Sequence, residues 1–385
     1  MFALRRVAAL VLGQDNSPQG LHAELEASAV PVTNAQCRSC PDPCNDGHEG
    51  YPKFDVDMES HMLGSVKPYR RQLVISTGKT DWDREVTDTK GSLAAFLSQV
   101  EHRRLHVAHP RRPSVTAVSR SPPADSILLE EKVCSIVSPH NPLPPPPPPP
   151  PSHNTSGVFN ATDSKRVSIL NGSHNTLCHD PDYETILVFP DYKLVTEVPR
   201  SVEGAQNLWD TCVDPELGRA GGVLEKSPFN SWVIPYACVI LLCSHKKRDK
   251  RCSIAAAKLE HAFTQTLESK EWTVDTQLEH PMEEPLEEFV GSLEEQEENV
   301  TRHLRELQGK KKALIIRNSH IGGHRYAGNC IIYTPRGTGV WYGRVSTHEV
   351  DSIVANTIED GLVLPKLLRG GVNISRPGCS NLHDW

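Results

Sequence analysis

The sequence predicts an α/β protein made of two units, with a disordered insertion inside the first unit. Its 385 residues suffice for two domains. Short apolar runs typical of buried strands alternate with longer amphipathic segments typical of helices. Between them lies a long stretch rich in proline and polar residues, a composition that cannot bury enough apolar surface to fold.

The first unit is expected over residues 35–200, after a flexible N-terminus over residues 1–34. A strand is predicted in "YRRQLVISTGKTDWD", where the apolar run ends in a Thr-Gly turn. The segment "GSLAAFLSQVEHR" predicts an amphipathic helix, with Leu93, Phe96, Leu97 and Val100 on one face. A second buried strand is predicted in "YETILVFPDYKLVTEVP", closed by Pro190 and Asp191.

The insertion covers residues 109 to about 165 and contains an unbroken run of proline from Pro144 to Pro151. Such a run favours a polyproline II rod. Two interpretations remain open for it, a solvated spacer and a docking stretch for a partner that recognises proline-rich peptides.

The second unit is expected over residues 201–375, followed by a tail over residues 376–385. It begins with a strand in "VIPYACVILLC", followed by a helix in "SIAAAKLEHAFTQTLE" with Ser253 as N-cap. A long acidic helix follows, then strands in "ALIIR", "CIIYTP" and "GVWYGRV", and a final helix in "STHEVDSIVANTIEDG". This order fits a thioredoxin-like sandwich. We expect a thioredoxin-like unit in each of the two halves of the chain.

Composition excludes several classes of function. A net charge of -7 argues against nucleic-acid binding and against binding to anionic membranes, both of which need a basic face. The sequence contains no run of 18 apolar residues, so no membrane span is expected. The 11 cysteines, an odd number in a large chain, favour reduced thiols and a metal site over a disulfide framework.

The candidate chemistry lies in two pairs of residues. Cys243 and Cys252 bracket the loop "SHKKRDKR" after the first strand of the second unit, and His320 and His324 follow the strand "ALIIR". If the two strands are neighbours, both loops open at one end of the sheet. Two thiolates and two imidazoles can hold zinc or a [2Fe-2S] cluster. The alternative is that these histidines are ordinary polar residues of a loop, in which Gly322 and Gly323 form a tight turn.

A resemblance favours the cluster. The segments "CSHKKRDKRC", "NSHIGGHRYAGNCIIYTPRGTGVWYGRV" and "LVFPDYKLVTEV" resemble the sucrase/ferredoxin-like family of thioredoxin-like ferredoxins, including the fungal altered-inheritance-of-mitochondria type. In that family two cysteines in C-x8-C and two histidines in H-x3-H bind a [2Fe-2S] cluster. The resemblance therefore assigns Cys243, Cys252, His320 and His324 as cluster ligands and the second unit as a thioredoxin-like ferredoxin domain.

Other cysteines and histidines compete for metal. We expect His245 to be a solvated loop residue and His348 to belong to the start of the last helix. Cys238 and Cys330 are expected in the core. The segment "CRSCPDPCNDGH" contributes Cys37, Cys40, Cys44 and His48, which fit a zinc site, a Cys37–Cys40 redox dithiol or neither.

The leading functional hypothesis is an electron-transfer protein that carries a [2Fe-2S] cluster, coupled to protons and linked to thiol redox balance. Its rival is a structural or interaction module that holds zinc at the same four ligands. The electron donor and acceptor are not named by the sequence. The terminal Asp384 and Trp385 resemble a signal read by the cytosolic iron-sulfur targeting machinery, so a cytoplasmic location is expected. The N-terminal "MFALRRVAALVLGQ" keeps a weak mitochondrial presequence, or a poorly formed signal peptide, as the alternative.

Overall fold

The computed structural model describes residues 18–48, 50–51, 54–108, 155–221 and 227–385. The helices are α1 (Pro18–Ala27), α2 (Leu93–Ala108), α3 (Val202–Leu208), α4 (Lys250–Ser269), α5 (Leu293–Glu306) and α6 (Val350–Ile353). The strands are β1 (Arg71–Ser76), β2 (Val158–Phe159), β3 (Val167–Gly172), β4 (Tyr183–Phe189), β5 (Lys193–Pro199), β6 (Ser231–Val233), β7 (Cys238–Cys243), β8 (Thr273–Asp275), β9 (Lys312–Asn318), β10 (Cys330–Tyr333), β11 (Gly339–Tyr342) and β12 (Leu368–Val372).

These strands form one 12-stranded mixed sheet, in the order β2-β12-β11-β10-β7-β9-β3-β1-β4-β5-β6, with β8 paired to β9 off this path. The architecture is therefore mixed α/β, as predicted. The two predicted units do not have separate sheets, since β3 and β9 join them through the antiparallel pair Gly172↔Asn318. The thioredoxin-like character of each half remains a prediction.

The two halves of the sheet repeat one arrangement of strands. In the first half β1 is parallel to β3 and antiparallel to β4, and β5 and β6 follow outward. In the second half β7 is parallel to β9 and antiparallel to β10, and β11 and β12 follow outward. The contact between β3 and β9, which connects the two halves, is also reciprocal. The backbone N–H of Asn171 donates to the side chain of Ser319, and the backbone N–H of Arg317 donates to the side chain of Ser173.

Apolar residues cover both faces of β7, which explains its unbroken hydrophobic sequence. Alternate residues point to opposite sides. Cys238 belongs to the core on the side of α4, and Cys243 to the core on the other side of the sheet. Cys238 and Cys330 are buried core residues, as expected. Because of this alternation, the side chain of Cys243 lies at the end of β7 on the side where Cys252 and His320 can contact it.

Most predicted elements of the second half are present, with local corrections. Helix α4 begins earlier than expected, because Asp249 is the N-cap and accepts a hydrogen bond from the backbone of Arg251. The acidic helix is shorter than predicted and begins after Ser292, which forms a capping box with Glu295. Strand β12 was not predicted, since its sequence "LRGGV" contains two glycines and an arginine.

The first half shows further differences. Part of the segment predicted to be a flexible N-terminus forms helix α1, whose Leu25 is buried. Residues 155–165, expected inside the insertion, contain β2 and a short 3-10 helix. The predictions for residues 109–154 and for the presequence lie outside the described residues. None of the helices in the described parts of the chain combines the length and apolar character that crossing a bilayer requires.

Candidate metal centres

The predicted cysteine pair lies at the carboxyl end of β7. Cys243 is the last residue of that strand, and Cys252 lies in the first turn of α4. Both side chains are almost fully buried, with 2% and 1% exposure. The pKa of Cys243 lies well below its ordinary value, first because Cys252 donates a hydrogen bond to its sulfur and also through His320 and the backbone N–H of Ile321. The pKa of Cys252 is raised because its proton is held against the Cys243 sulfur.

The predicted histidine pair lies beside this end of the sheet. His320 comes two residues after β9 and is half-buried, whereas His324 starts a 3-10 turn and is exposed. Their ring centroids are 5.7 Å apart. The Nδ1 atom of His320 is buried without a hydrogen-bond partner in the described structure. This unpaired atom is a ready ligand, because a buried imidazole nitrogen without a partner is costly.

The two glycines between the histidines adopt the left-handed conformation, with φ of 81° at Gly322 and 65° at Gly323. The turn is therefore as predicted. A Cβ atom at Gly323 would come within 2.4 Å of the guanidinium of Arg369. The sequence requires glycine there for two reasons, the backbone conformation and the space for this arginine.

Arg369 lies at the candidate site, and no pattern in the sequence indicated it. It lies in β12 and is fully buried, and its Nη1 donates to Gly322 and to Asn329. Its Nη2 has no hydrogen-bond partner, and the anionic groups that act on the guanidinium among the described residues are thiols and a tyrosine, with no carboxylate. Burial lowers its pKa to about 10, an effect that neighbouring Cys243 opposes. A buried cation without a carboxylate favours an anionic group beside the cysteine pair.

Two cations of the basic loop between the two cysteines are paired with acidic residues of the first half. Lys247 pairs with Asp83 at 3.0 Å, and Arg248 pairs with Glu85. The expectation that His245 is solvated was wrong. Its side chain is 1% exposed and its Nε2 lies 2.9 Å from the carbonyl oxygen of Trp82, because the loop packs against the first half of the molecule.

A second group of metal-ligating side chains lies elsewhere. Its members are Cys40, Cys44, His48 and His348, whose ligand atoms all lie within 4.8 Å of one another. The Cys44 sulfur is 3.3 Å from Nδ1 of His48, and the Cys40 sulfur is 3.3 Å from Nδ1 of His348. This Cys2His2 group is compatible with metal binding.

The second group changes two predictions. His348 does lie just before the last helix, in the 3-10 turn Thr347–Glu349, but its ring also completes the group. Cys37 is not a member. Its side chain packs against apolar residues, and burial raises the pKa of its thiol to about 11. The sequence could not indicate His348, because 308 positions separate it from Cys40.

The chain terminus is docked on the second half. The ring of Trp385 lies under the guanidinium groups of Arg305 and Arg336, each 5.1 Å from its centroid. The carboxylate of Asp384 accepts hydrogen bonds from the backbone of Ser380 and Asn381. The terminal pair of residues therefore has a defined position instead of a frayed one.

Fold and donor sets together define a mixed α/β protein with cysteine and histidine side chains arranged for metal binding. The profile of the family described as sucrase/ferredoxin-like matches residues 62–370, and the chain belongs to this family. The resemblance noted in the sequence is thereby confirmed.

Relatives of this chain occur in yeasts. It is 30% identical over 135 residues to altered inheritance of mitochondria protein 32 of Meyerozyma guilliermondii, a region that covers 35% of each chain. It is 31% identical over 132 residues to the protein of that name in Clavispora lusitaniae, covering 34% of each chain. Actin patches distal protein 1 of Saccharomyces cerevisiae is 30% identical over 151 residues, 38% of each chain. The match thus spans about a third of these relatives, and no solved structure matches this chain.

Proposed function

We propose that this protein transfers electrons through a [2Fe-2S] cluster held by Cys243, Cys252, His320 and His324. The observation that carries the proposal is the buried Cys243–Cys252 pair in contact with His320, together with the buried Nδ1 of His320, which has no hydrogen-bond partner. Membership of the sucrase/ferredoxin-like family supports it. When bound, such a cluster would supply a site that accepts and releases one electron.

The arrangement of the donors suits two irons better than one. The four ligand atoms do not form a set within 4.8 Å of one another, in contrast to the group around Cys40. Cys243 contacts both Cys252 and His320, and the ring centroids of His320 and His324 are 5.7 Å apart. A cluster with thiolates on one iron and imidazoles on the other needs a wider set of ligand atoms than a single ion does.

The surroundings of the two cysteines differ from those of the two histidines. On the inner side, the helix N-terminus of α4, the backbone N–H of Ile321 and the cation of Arg369 all favour negative charge at the cysteines. Such surroundings stabilise the reduced, more negative state of a bound centre and raise its potential. On the outer side, His324 is exposed, so an electron and a proton can both exchange with the surroundings there.

We further propose a cytoplasmic location, with a mitochondrial one as the alternative. Under this proposal, the electron donor and the electron acceptor of the protein take part in maintaining the thiol redox balance of the cell. Recognition of Asp384 and Trp385 by the cytosolic iron-sulfur targeting machinery would require Trp385 to leave Arg305 and Arg336, which hold it in this conformation.

The test is spectroscopic. The full chain is purified anaerobically, and its iron, zinc and acid-labile sulfide contents are measured with its visible absorption and its EPR spectrum after dithionite reduction. Two irons and two sulfides per chain with a reduced-state EPR signal are expected. A colourless, EPR-silent protein with zinc at these four ligands would replace electron transfer by the structural alternative.

A variant identifies the outer ligands. In His320→Cys a thiolate replaces a neutral, titratable ligand, so the cluster should be retained with a lower potential and a weaker pH dependence of that potential. His102→Gln, on the exposed end of α2, is the control and should leave both properties unchanged. An unchanged potential in His320→Cys would show that His320 does not bind iron.

A further inference from the structure

We propose that Cys40, Cys44, His48 and His348 bind a structural zinc ion that ties the N-terminal segment to the second half of the molecule. This centre is separate from the cluster proposed at Cys243, and neither depends on the other. It uses a histidine that no sequence motif connects with the three residues near the N-terminus.

The spacing of the donors suits a tetrahedral zinc site. Ligand atoms around zinc, at about 2.3 Å for sulfur and about 2.0 Å for nitrogen, lie roughly 3.3 to 3.8 Å from one another. Both sulfur–nitrogen contacts in the group, Cys44 with His48 and Cys40 with His348, are 3.3 Å. The rings of His48 and His348 meet edge to face, with centroids 5.4 Å apart, and both offer Nδ1 to the same centre.

Groups around the donors hold them in orientations suited to a metal. The other ring nitrogen of His48, Nε2, lies 3.5 Å from a carboxylate oxygen of Asp351. Asp351 is itself held by the hydroxyl of Thr266 in α4, at 2.8 Å. A carboxylate on the far nitrogen of a histidine is the usual outer partner of a zinc-binding imidazole.

The sulfurs also receive hydrogen bonds suited to thiolates. Nε of Arg38 donates to the Cys40 sulfur at 3.0 Å, and the backbone N–H of Asp46 donates to the Cys44 sulfur at 3.4 Å. Two thiolates cancel the double charge of zinc, so the filled site is neutral.

Zinc is the metal that this donor set selects, and its role is structural. Two sulfurs and two imidazoles in a closed set of four leave no position for water or substrate. Cys40 is buried and the other three donors are half-buried, as expected for a closed site.

The segment that carries three of the donors has no regular secondary structure that would fix their positions. Between residues 34 and 60, its described residues contain neither helix nor strand. Its contacts with the rest of the molecule come from loop residues: the hydroxyl of Ser352 donates to the carbonyl of Gln36, the hydroxyl of Tyr51 donates to the carbonyl of Val345, and Phe54 and Val56 pack against the core. A metal bond to His348 would close a very long loop and order the segment, because metal binding energy is folding energy.

The experiment measures metals per chain in the anaerobically purified full-length protein, together with the visible spectrum. One zinc is expected beside the cluster iron. The double variant Cys44→Ser with His348→Ala should lose that zinc and keep its iron and visible absorption. Cys37→Ser, which changes a thiol in the same segment outside the donor set, should keep the zinc.

Several results would overturn the proposal: a wild-type protein free of zinc after growth with added zinc, a double variant that retains it, or a Cys40–Cys44 disulfide in the intact protein. Should the double variant not fold, X-ray absorption at the zinc edge of the wild type decides, with two sulfurs at about 2.3 Å and two nitrogens at about 2.0 Å expected. A shell of nitrogen and oxygen only would refute the site. Failure of the cluster proposal is recognisable separately, as absence of iron.

Discussion

The two halves of the sheet share one arrangement of strands but differ in the side chains at the end of their central parallel pair. In the first half the parallel pair β1–β3 ends at Ser76↔Gly172, and in the second half β7–β9 ends at Cys243↔Asn318. Each second strand is followed by Ser-His, which is Ser173-His174 in one half and Ser319-His320 in the other. Equivalent backbone positions therefore hold a serine where the other half holds a cysteine.

The differences explain why metal chemistry is expected in one half alone. Ser76 donates a hydrogen bond to Glu184 at 2.7 Å, whereas Cys243 contacts Cys252. His174 folds inward over Gly172, where a Cβ atom would lie 2.6 Å from its Nδ1. At the position equivalent to Gly172, Asn318 has a buried side chain whose Nδ2 donates to the carbonyl of Ser319 at 3.0 Å, and His320 lies beside Cys243. A shared backbone arrangement thus does not imply a shared set of metal-ligating side chains, since Ser76 stands where the second half has Cys243.

The largest effect, a loss of iron, is expected when Cys243 of the second half is replaced by serine, the residue at the equivalent position of the first half. Cys243→Ser removes a proposed thiolate ligand, so under the cluster proposal iron content and visible absorption should fall close to zero. Iron analysis and absorption spectroscopy of the purified variant measure this. Cys178→Ser is the matched control, because Cys178 follows His174 by four positions as His324 follows His320, and it should retain full iron. Full iron in Cys243→Ser would contradict the assigned ligand.

A pH-dependent effect is expected in the first half. His174 is fully buried, and burial lowers its pKa to about 4 because the charged form is desolvated. The unfolded chain binds this proton near pH 6.5, so the free energy of unfolding should fall as the pH drops from 6.5 to 4, by about 3 kcal/mol in total.

The variant His174→Gln should lack this component, so its stability should decline less than that of the wild type over the same pH range. Urea denaturation at several pH values measures the difference. His102→Gln, which removes an exposed histidine, should follow the wild-type curve. Parallel curves for His174→Gln and the wild type would show that His174 accepts its proton without unfolding.

A smaller effect is expected from two glycines that differ in their surroundings. Gly323→Ala should destabilise the protein by about 2 kcal/mol more than Gly309→Ala, because both have positive φ but the added methyl group meets the buried Arg369 in the first case and open space in the second. Thermal or urea unfolding of both variants measures this difference. Equal costs would show that Arg369 moves freely and is not held in place by the glycine turn.

Much of the fold was predictable because its signals are local. The strands ending at Ser76 and Cys243 and the helices α2 and α4 follow from apolar runs and helical periodicity. The positions of β12 and β3 did not follow, because a glycine-rich strand and a short strand directly after the predicted insertion gain their stability from neighbours distant in sequence. The same reason hid the continuity of the sheet, which depends on one residue pair, Gly172↔Asn318.

The candidate sites divide in the same way. The spacing of Cys243 with Cys252 and the spacing of His320 with His324 are both local, since each pair lies within ten residues of sequence. The sequence alone therefore determined these four candidates and the glycine turn between the histidines. Only the tertiary structure decided that Arg369 lies beside the cysteines and that His348 joins Cys40, Cys44 and His48. Donor type and local spacing are properties of the chain, whereas a partner hundreds of residues away is selected by packing, and packing exists only in the folded state.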